Sequence, residues 1–183
     1  MSTQLRFVSR MVCLLVFGLM ALMSGPKAHA QSVTLTSFGA EGYHYEWDTA
    51  TQTYVLKHQP GGWYDDIDSD KVNLNIAFNN IPSTGHFGYG VTVDVMYYSG
   101  PYLSGTLLQS TTKLVYSTGG TISPGNSNMS LNSFFDTLTN VRASKPAGTQ
   151  SIFYIYHVQG SGGGTGWSGS FSTYTGPNFM VHG

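Results

Sequence analysis

Cysteine is almost missing from this chain: Cys13 is the one thiol in 183 residues. A disulfide scaffold, a four-cysteine zinc site and a C-x-x-C redox centre are therefore excluded. Charge is scarce too, at 9% of residues against about 25% in an average globular protein. Basic charge is the scarcer sign beyond residue 30. Lys57, Lys71, Lys113, Arg142 and Lys145 stand there against nine acidic residues, a net charge of −4. A nucleic-acid binder carries a basic stripe or patch, and this chain offers none. Zinc spacings such as H-E-x-x-H and the nucleophile elbow G-x-S-x-G are absent as well.

Long hydrophobic runs are confined to the N-terminus. Arg6 and Arg10 lead into an apolar stretch over 11–23, Gly25-Pro26 breaks it, and Ala28-His29-Ala30 follows. A short basic region, an apolar core and small residues at −3 and −1 predict a signal peptide over 1–30, cleaved after Ala30. Cleavage would remove Cys13 and deliver residues 31–183 to the periplasm or the exterior of a bacterial cell. The apolar stretch is shorter than the roughly 20 residues of a membrane span, and no second one follows. The expected mature chain has no transmembrane segment and forms one domain. At that size it buries about 68–70% of its unfolded surface and needs no staple.

What is present in abundance is period-2 alternation. Val72, Leu74, Ile76 and Phe78 alternate with Asn73, Asn75 and Ala77, and Val91, Val93, Val95 and Tyr97 alternate with Thr92, Asp94 and Met96. Similar runs open at Val33, Thr112 and Trp167, and 152–158 is apolar on both faces except at His157, as a doubly covered strand would be. Gly61-Gly62, Pro82-Ser83, Gly100-Pro101, Gly119-Gly120, Pro124-Gly125 and Gly176-Pro177 punctuate these runs. The spacing predicts an all-β fold: an antiparallel β-sandwich, immunoglobulin-like or jelly-roll-like, or failing that a small barrel. One short helix is expected near 130–138, where Leu131, Phe134, Phe135 and Leu138 fall at helical spacing behind Ser130. The glycine-rich 160–166 lacks a Gly-Lys-Ser/Thr ending and reads as a mobile hairpin loop.

Two local patterns carry chemistry. Asp66, Asp68 and Asp70 occupy positions one, three and five of a D-x-D-x-D loop, a calcium-type arrangement that places three carboxylates on one face of an extended chain. Lys71 and Ala77 stand where an EF-hand needs glycine and glutamate, so calcium would need oxygens from elsewhere. The second pattern is aromatic: Tyr43, Tyr45 and Trp47 share a strand face opposite His44, Glu46 and Asp48, and a turn at 49–51 returns through Tyr54, Leu56 and His58. Such a row is commonly core. Exposed, its flat rings would cover the apolar face of a sugar while amides and acids take the hydroxyls. The ligand-binding candidates are Tyr43, Tyr45, Trp47, Trp63, Tyr64, Tyr98 and Tyr102.

These residues predict a secreted, non-catalytic module that binds a glycan or another cell-surface ligand, with calcium as an assisting ion. A structural subunit of an envelope or extracellular assembly is the alternative, self-associating through an edge strand that low charge leaves unguarded. A glycan hydrolase using Glu46 is the third. It needs a second carboxylate about 5–9.5 Å away, and the sequence indicates no partner.

Overall fold

Alternation of branched and aromatic residues with polar ones builds long strands, and the computed structural model describes residues 32–59, 63–64, 67–174 and 179–182. They belong to the unit Gln31–Gly183. Ten strands appear in order: β1 (Ser32–Asp48), β2 (Thr53–Gln59), β3 (Trp63–Tyr64), β4 (Ser69–Ile81), β5 (Gly85–Tyr98), β6 (Leu107–Ile122), β7 (Gly125–Phe135), β8 (Ser151–Gly164), β9 (Trp167–Tyr174) and β10 (Phe179–His182). Among the described residues one α-helix, α1 (Thr137–Ala143), follows β7. No helix among the described residues is long and apolar enough to cross a membrane.

The strands form a four-stranded sheet, β2-β1-β4-β7, and a six-stranded sheet, β3-β10-β8-β5-β6, with β9 also on β8. Pairing is antiparallel apart from a two-residue parallel match of β3 with β10. The fold is the expected all-β sandwich with one short helix. Its core comes from alternate residues: Val72, Leu74, Ile76 and Phe78 of β4 face Phe87, Tyr89, Val91, Val93, Val95 and Tyr97 of β5, all buried. Edge-to-face contacts join the sheets, with ring centroids of Phe78 and Phe87 5.1 Å apart and of Phe78 and Trp167 6.5 Å apart.

Three local expectations shift. The helix starts at Thr137, because Ser130–Phe135 are claimed by β7, where Leu131 pairs with Leu74 and is buried. A four-residue spacing such as Leu131 to Phe135 places both side chains on one face in a helix and in a strand alike. The ladder with β4 decided which. The glycine run is no mobile loop: through Gly164 it is β8, and the turn at Thr165-Gly166 closes the β8–β9 hairpin with Gly166 at φ +80°. A Cβ at Gly160 would meet the Phe171 ring at 2.7 Å, one at Gly164 the Trp167 indole nitrogen at 2.6 Å, and one at Gly162 the His86 carbonyl. The missing side chains make room for rings. Finally, β8 is covered on one face: Ile152, Tyr154, Tyr156 and Val158 are buried, while Phe153, Ile155 and His157 on the other face are half-buried. His157 is a surface residue stacked on Tyr174, centroids 4.4 Å apart, with Nε2 2.7 Å from the Ser172 hydroxyl.

The end of the sandwich opposite the 82–84 turn is closed by α1, which buries Leu138 and Val141. The Tyr97 hydroxyl donates to the Val141 carbonyl (3.0 Å), Arg142 Nη1 to the Ile67 carbonyl (3.1 Å), and Thr139 Oγ1 to the Asp68 carbonyl. These bonds hold the 67–69 segment, from which the functional surface is hung.

Candidate functional site

β1 is longer than the strand it leans on. Its ladder with β4 ends at Tyr43↔Ser69, so residues 44–48 pair only with β2, through Asp48↔Thr53. The result is a two-stranded arm projecting beyond the four-stranded sheet. A hairpin alone is marginal in water, and Asp68 steadies this one. Its backbone N–H donates to the Tyr43 carbonyl (2.9 Å) and its Oδ2 accepts the Tyr45 N–H (2.7 Å), so Asp68 continues the ladder where β4 stops. At the tip, the Asp48 carboxylate accepts the Ala50 N–H and the Thr51 hydroxyl, both at 2.9 Å. Those bonds hold the Asp48 carboxyl below its ordinary pKa.

Register sorts the arm's side chains by face. Tyr43 lies opposite His58, Tyr45 opposite Leu56, and Trp47 opposite Tyr54. Directly paired residues share a face, so one face carries rings at every pair. Tyr45, Trp47 and Tyr54 are 55%, 50% and 67% exposed. The Trp47 and Tyr54 rings meet edge to face at 5.2 Å, and Tyr43 packs at 5.2 Å on His58 and at 4.9 Å, edge to face, on Phe134 of β7. The row therefore runs from the tip onto the solvent face of the sheet, where Lys71 Nζ sits 5.6 Å over the half-exposed Phe134 ring. The Tyr43 hydroxyl donates to Glu41 Oε2 (3.1 Å), which also lies 4.0 Å from His58 Nε2. Burial and the Glu41 carboxylate push the Tyr43 phenol above its ordinary pKa, keeping it a neutral donor. The arrangement joins stacking area to a rim of hydrogen-bonding groups, Glu41, His58 and Lys71.

The opposite face is polar. Glu46 points there and pairs with Lys57 at 3.2 Å, so the candidate hydrolytic acid faces away from the rings, as strand periodicity requires.

The other candidates are placed elsewhere. Tyr98 is half-buried with its hydroxyl 3.9 Å from Met96 Sδ, and Tyr102 is exposed in a one-turn 3-10 helix, Pro101–Leu103. Trp63 and Tyr64 contribute backbone to β3, against Met180 and Val181, and their side chains lie outside the described residues. These four belong to the six-stranded sheet and its end, and the Tyr43–Trp47 row to the four-stranded one.

Asp68 and Asp70 of the acidic loop have separate partners. Asp66 lies outside the described residues, Asp68 is committed to the Tyr45 N–H, and Asp70 is fully buried, accepting the Tyr156 hydroxyl at 2.6 Å. From Asp70 to Phe78 the even-numbered residues of β4 face the core, which takes Asp70 inward with Val72. Among the described residues no three His, Cys, Asp or Glu side chains converge as a metal-ion site. Burial pushes the Asp70 carboxyl up to about 7 against the opposing bond from Tyr156, with Asp136 adding to the rise.

Phe134 was hidden from sequence reasoning by the helical spacing around it, and Lys71 by its acidic neighbours. Tyr54 was legible, since the turn at 49–52 returns it to Trp47.

No family model matches this chain, and neither does any curated protein. Among solved structures, the crystal structure of a protein from Archaeoglobus fulgidus is similar over 80% of this chain and 96% of that one, with a TM-score of 0.35 and 9% identity.

Proposed function

We propose that the chain is a non-catalytic binding module whose aromatic arm face takes a glycan. The observation that carries this is the exposed ring row Tyr45, Trp47 and Tyr54 on an arm that nothing in the fold requires to be aromatic. Exposed apolar clusters of this kind on a monomer mark interaction surfaces. Alternating rings and a polar rim suit a ligand with flat apolar faces and hydroxyl edges, which describes a saccharide chain. Export through the 1–30 segment would bring the arm to extracellular glycans. The reading needs no ion, and the Glu46–Lys57 pair on the far face argues against Glu46 as a hydrolytic acid.

A glycan array with the purified protein should show binding, and Trp47→Ala and Tyr54→Ala should each weaken it at least about tenfold, near 1.4 kcal/mol. Because both rings are exposed, denaturation midpoints should stay put. Binding unchanged in both variants would remove the proposal.

A second reading rests on β7. Its 11 residues, GNSNMSLNSFF, contain no charge and no proline, and they form an edge of the four-stranded sheet. Such an edge is long and unguarded beside the usual 5–6 residues, and would serve an assembly subunit that pairs edge to edge. Sedimentation velocity across increasing concentration should then reveal growing oligomers. A strict monomer throughout would discard this reading.

A further inference from the structure

The solvent face of the six-stranded sheet, which is not the sheet that bears the aromatic arm, holds a groove with a volume of ≈ 960 Å³. Its floor is β5 at Gly88 and Gly90, and its sides carry Ser117 of β6, Gln159 and Ser161 of β8, and Ser172 of β9. We infer that this groove is a second binding site, for a neutral polyhydroxylated chain such as an oligosaccharide, independent of the aromatic arm.

The glycines supply the first argument. Those in β8 are explained by crowding, since a Cβ at Gly160, Gly162, Gly163 or Gly164 would run into rings or backbone. Gly88 and Gly90 are not. A Cβ there would come no nearer than 3.4 Å and 3.8 Å to any neighbour, and neither has a positive φ. Glycine in a strand interior weakens the strand and often marks a place where a ligand or another backbone approaches closely. The buried odd-numbered residues of β5 face the other sheet, so positions 88 and 90 face outward. What their missing side chains leave open is the groove itself.

The lining supplies the second argument. No lining residue is charged; hydroxyls and an amide recur on three sides, with Tyr89, Leu114 and Phe171 as the aromatic and apolar members. An ion of either sign finds no counter-charge, and an apolar ligand would strip those polar groups of water without replacing their hydrogen bonds. An added polypeptide strand pairs with sheet edges, not with faces. A neutral chain of hydroxyls remains, since each can donate to and accept from serine and glutamine. At one end the His157 and Tyr174 rings, stacked at 25° and tied to the lining Ser172 by the His157 hydrogen bond, offer a flat surface beside the groove. The volume falls in the usual range of ligand pockets, about 300–1,000 Å³.

The test uses the full chain and an array of neutral and uronic-acid-bearing oligosaccharides of four to six residues. Gly90→Phe fills the groove from its floor, and Gln159→Ala removes its amide. With Trp47→Ala as background, residual binding to at least one neutral oligosaccharide is expected, lowered at least about tenfold by Gly90→Phe and severalfold by Gln159→Ala. Should Gly90→Phe fail to fold, Gln159→Ala alone carries the result. Unchanged binding in both groove variants overturns the proposal, as does a preference for the acidic probes or no neutral probe bound. Loss of all binding in Trp47→Ala would overturn the groove while leaving the arm intact. Loss in the groove variants alone would do the reverse.

Discussion

Phe78→Ala is expected to destabilise the domain by about 3–5 kcal/mol, lowering its melting temperature by on the order of 10 °C. Phe78 is fully buried and touches both a strand of the opposite sheet, through Phe87, and the β8–β9 hairpin, through Trp167. Truncation would leave a cavity between two sheets whose backbones are fixed by long ladders, so the site has little freedom to collapse. Phe134→Ala is the matched control: the same residue type, in the same sheet, on the solvent face and half exposed. Its loss should be about 1 kcal/mol or less. Urea denaturation of both variants checks the pair. Equal losses would mean that the two faces of β4 and β7 are not divided between core and solvent as described.

Asp70 should make the stability of this protein fall as pH rises from about 4 to about 8. Its carboxyl is fully buried, accepts one bond from Tyr156 Oη, and is pushed up from 3.8 to about 7 chiefly by desolvation. The folded state thus holds this proton more tightly than the unfolded chain does. Between the two pKa values the folded state binds more protons, and stability declines with pH. The contribution is fully present below about pH 4, is lost as pH climbs through 7, and stays lost above. A carboxyl moved that far changes stability by roughly 4 kcal/mol. Asp70→Asn keeps an acceptor for Tyr156 but cannot ionise, while its NH₂ group needs a partner and costs about 1–3 kcal/mol if it finds none. The two stability curves should therefore cross, with wild type ahead at pH 4–5 and Asp70→Asn ahead at pH 8. Urea melts across that range decide it, and parallel curves would sink the assignment.

The same residue shows where local pattern stops being informative. Asp66, Asp68 and Asp70 form an acidic calcium-type string in sequence, yet Asp68 completes the ladder of β1 and Asp70 enters the core. Spacing alone marks 68 and 70 as one face of an extended chain. It does not say whether the opposite sheet will cover that face. The Tyr43–Trp47 row posed the mirror-image question. Alternation grouped its rings correctly, but their exposure follows from the parity of β1, which turns Ala40 into the core and leaves Glu41, Tyr43 and the ring row on the solvent face with Lys71. Phe134 joined that surface only through pairing with Lys71 across the sheet.

Strand content, the inward residues of β4 and β5, and the hairpin that brings Tyr54 to Trp47 were determined by the sequence itself, because a period of two is a local property written in consecutive residues. So was the lack of thiol chemistry in residues 31–183, and of any basic stripe. Only the tertiary structure decided the rest: β7 over a helix at 130–135, glycines of β8 packed under rings, Asp70 inside and Trp47 outside. Each depends on which distant strand supplies hydrogen bonds and which sheet supplies cover. Those partners lie tens of residues away, beyond the reach of any local period.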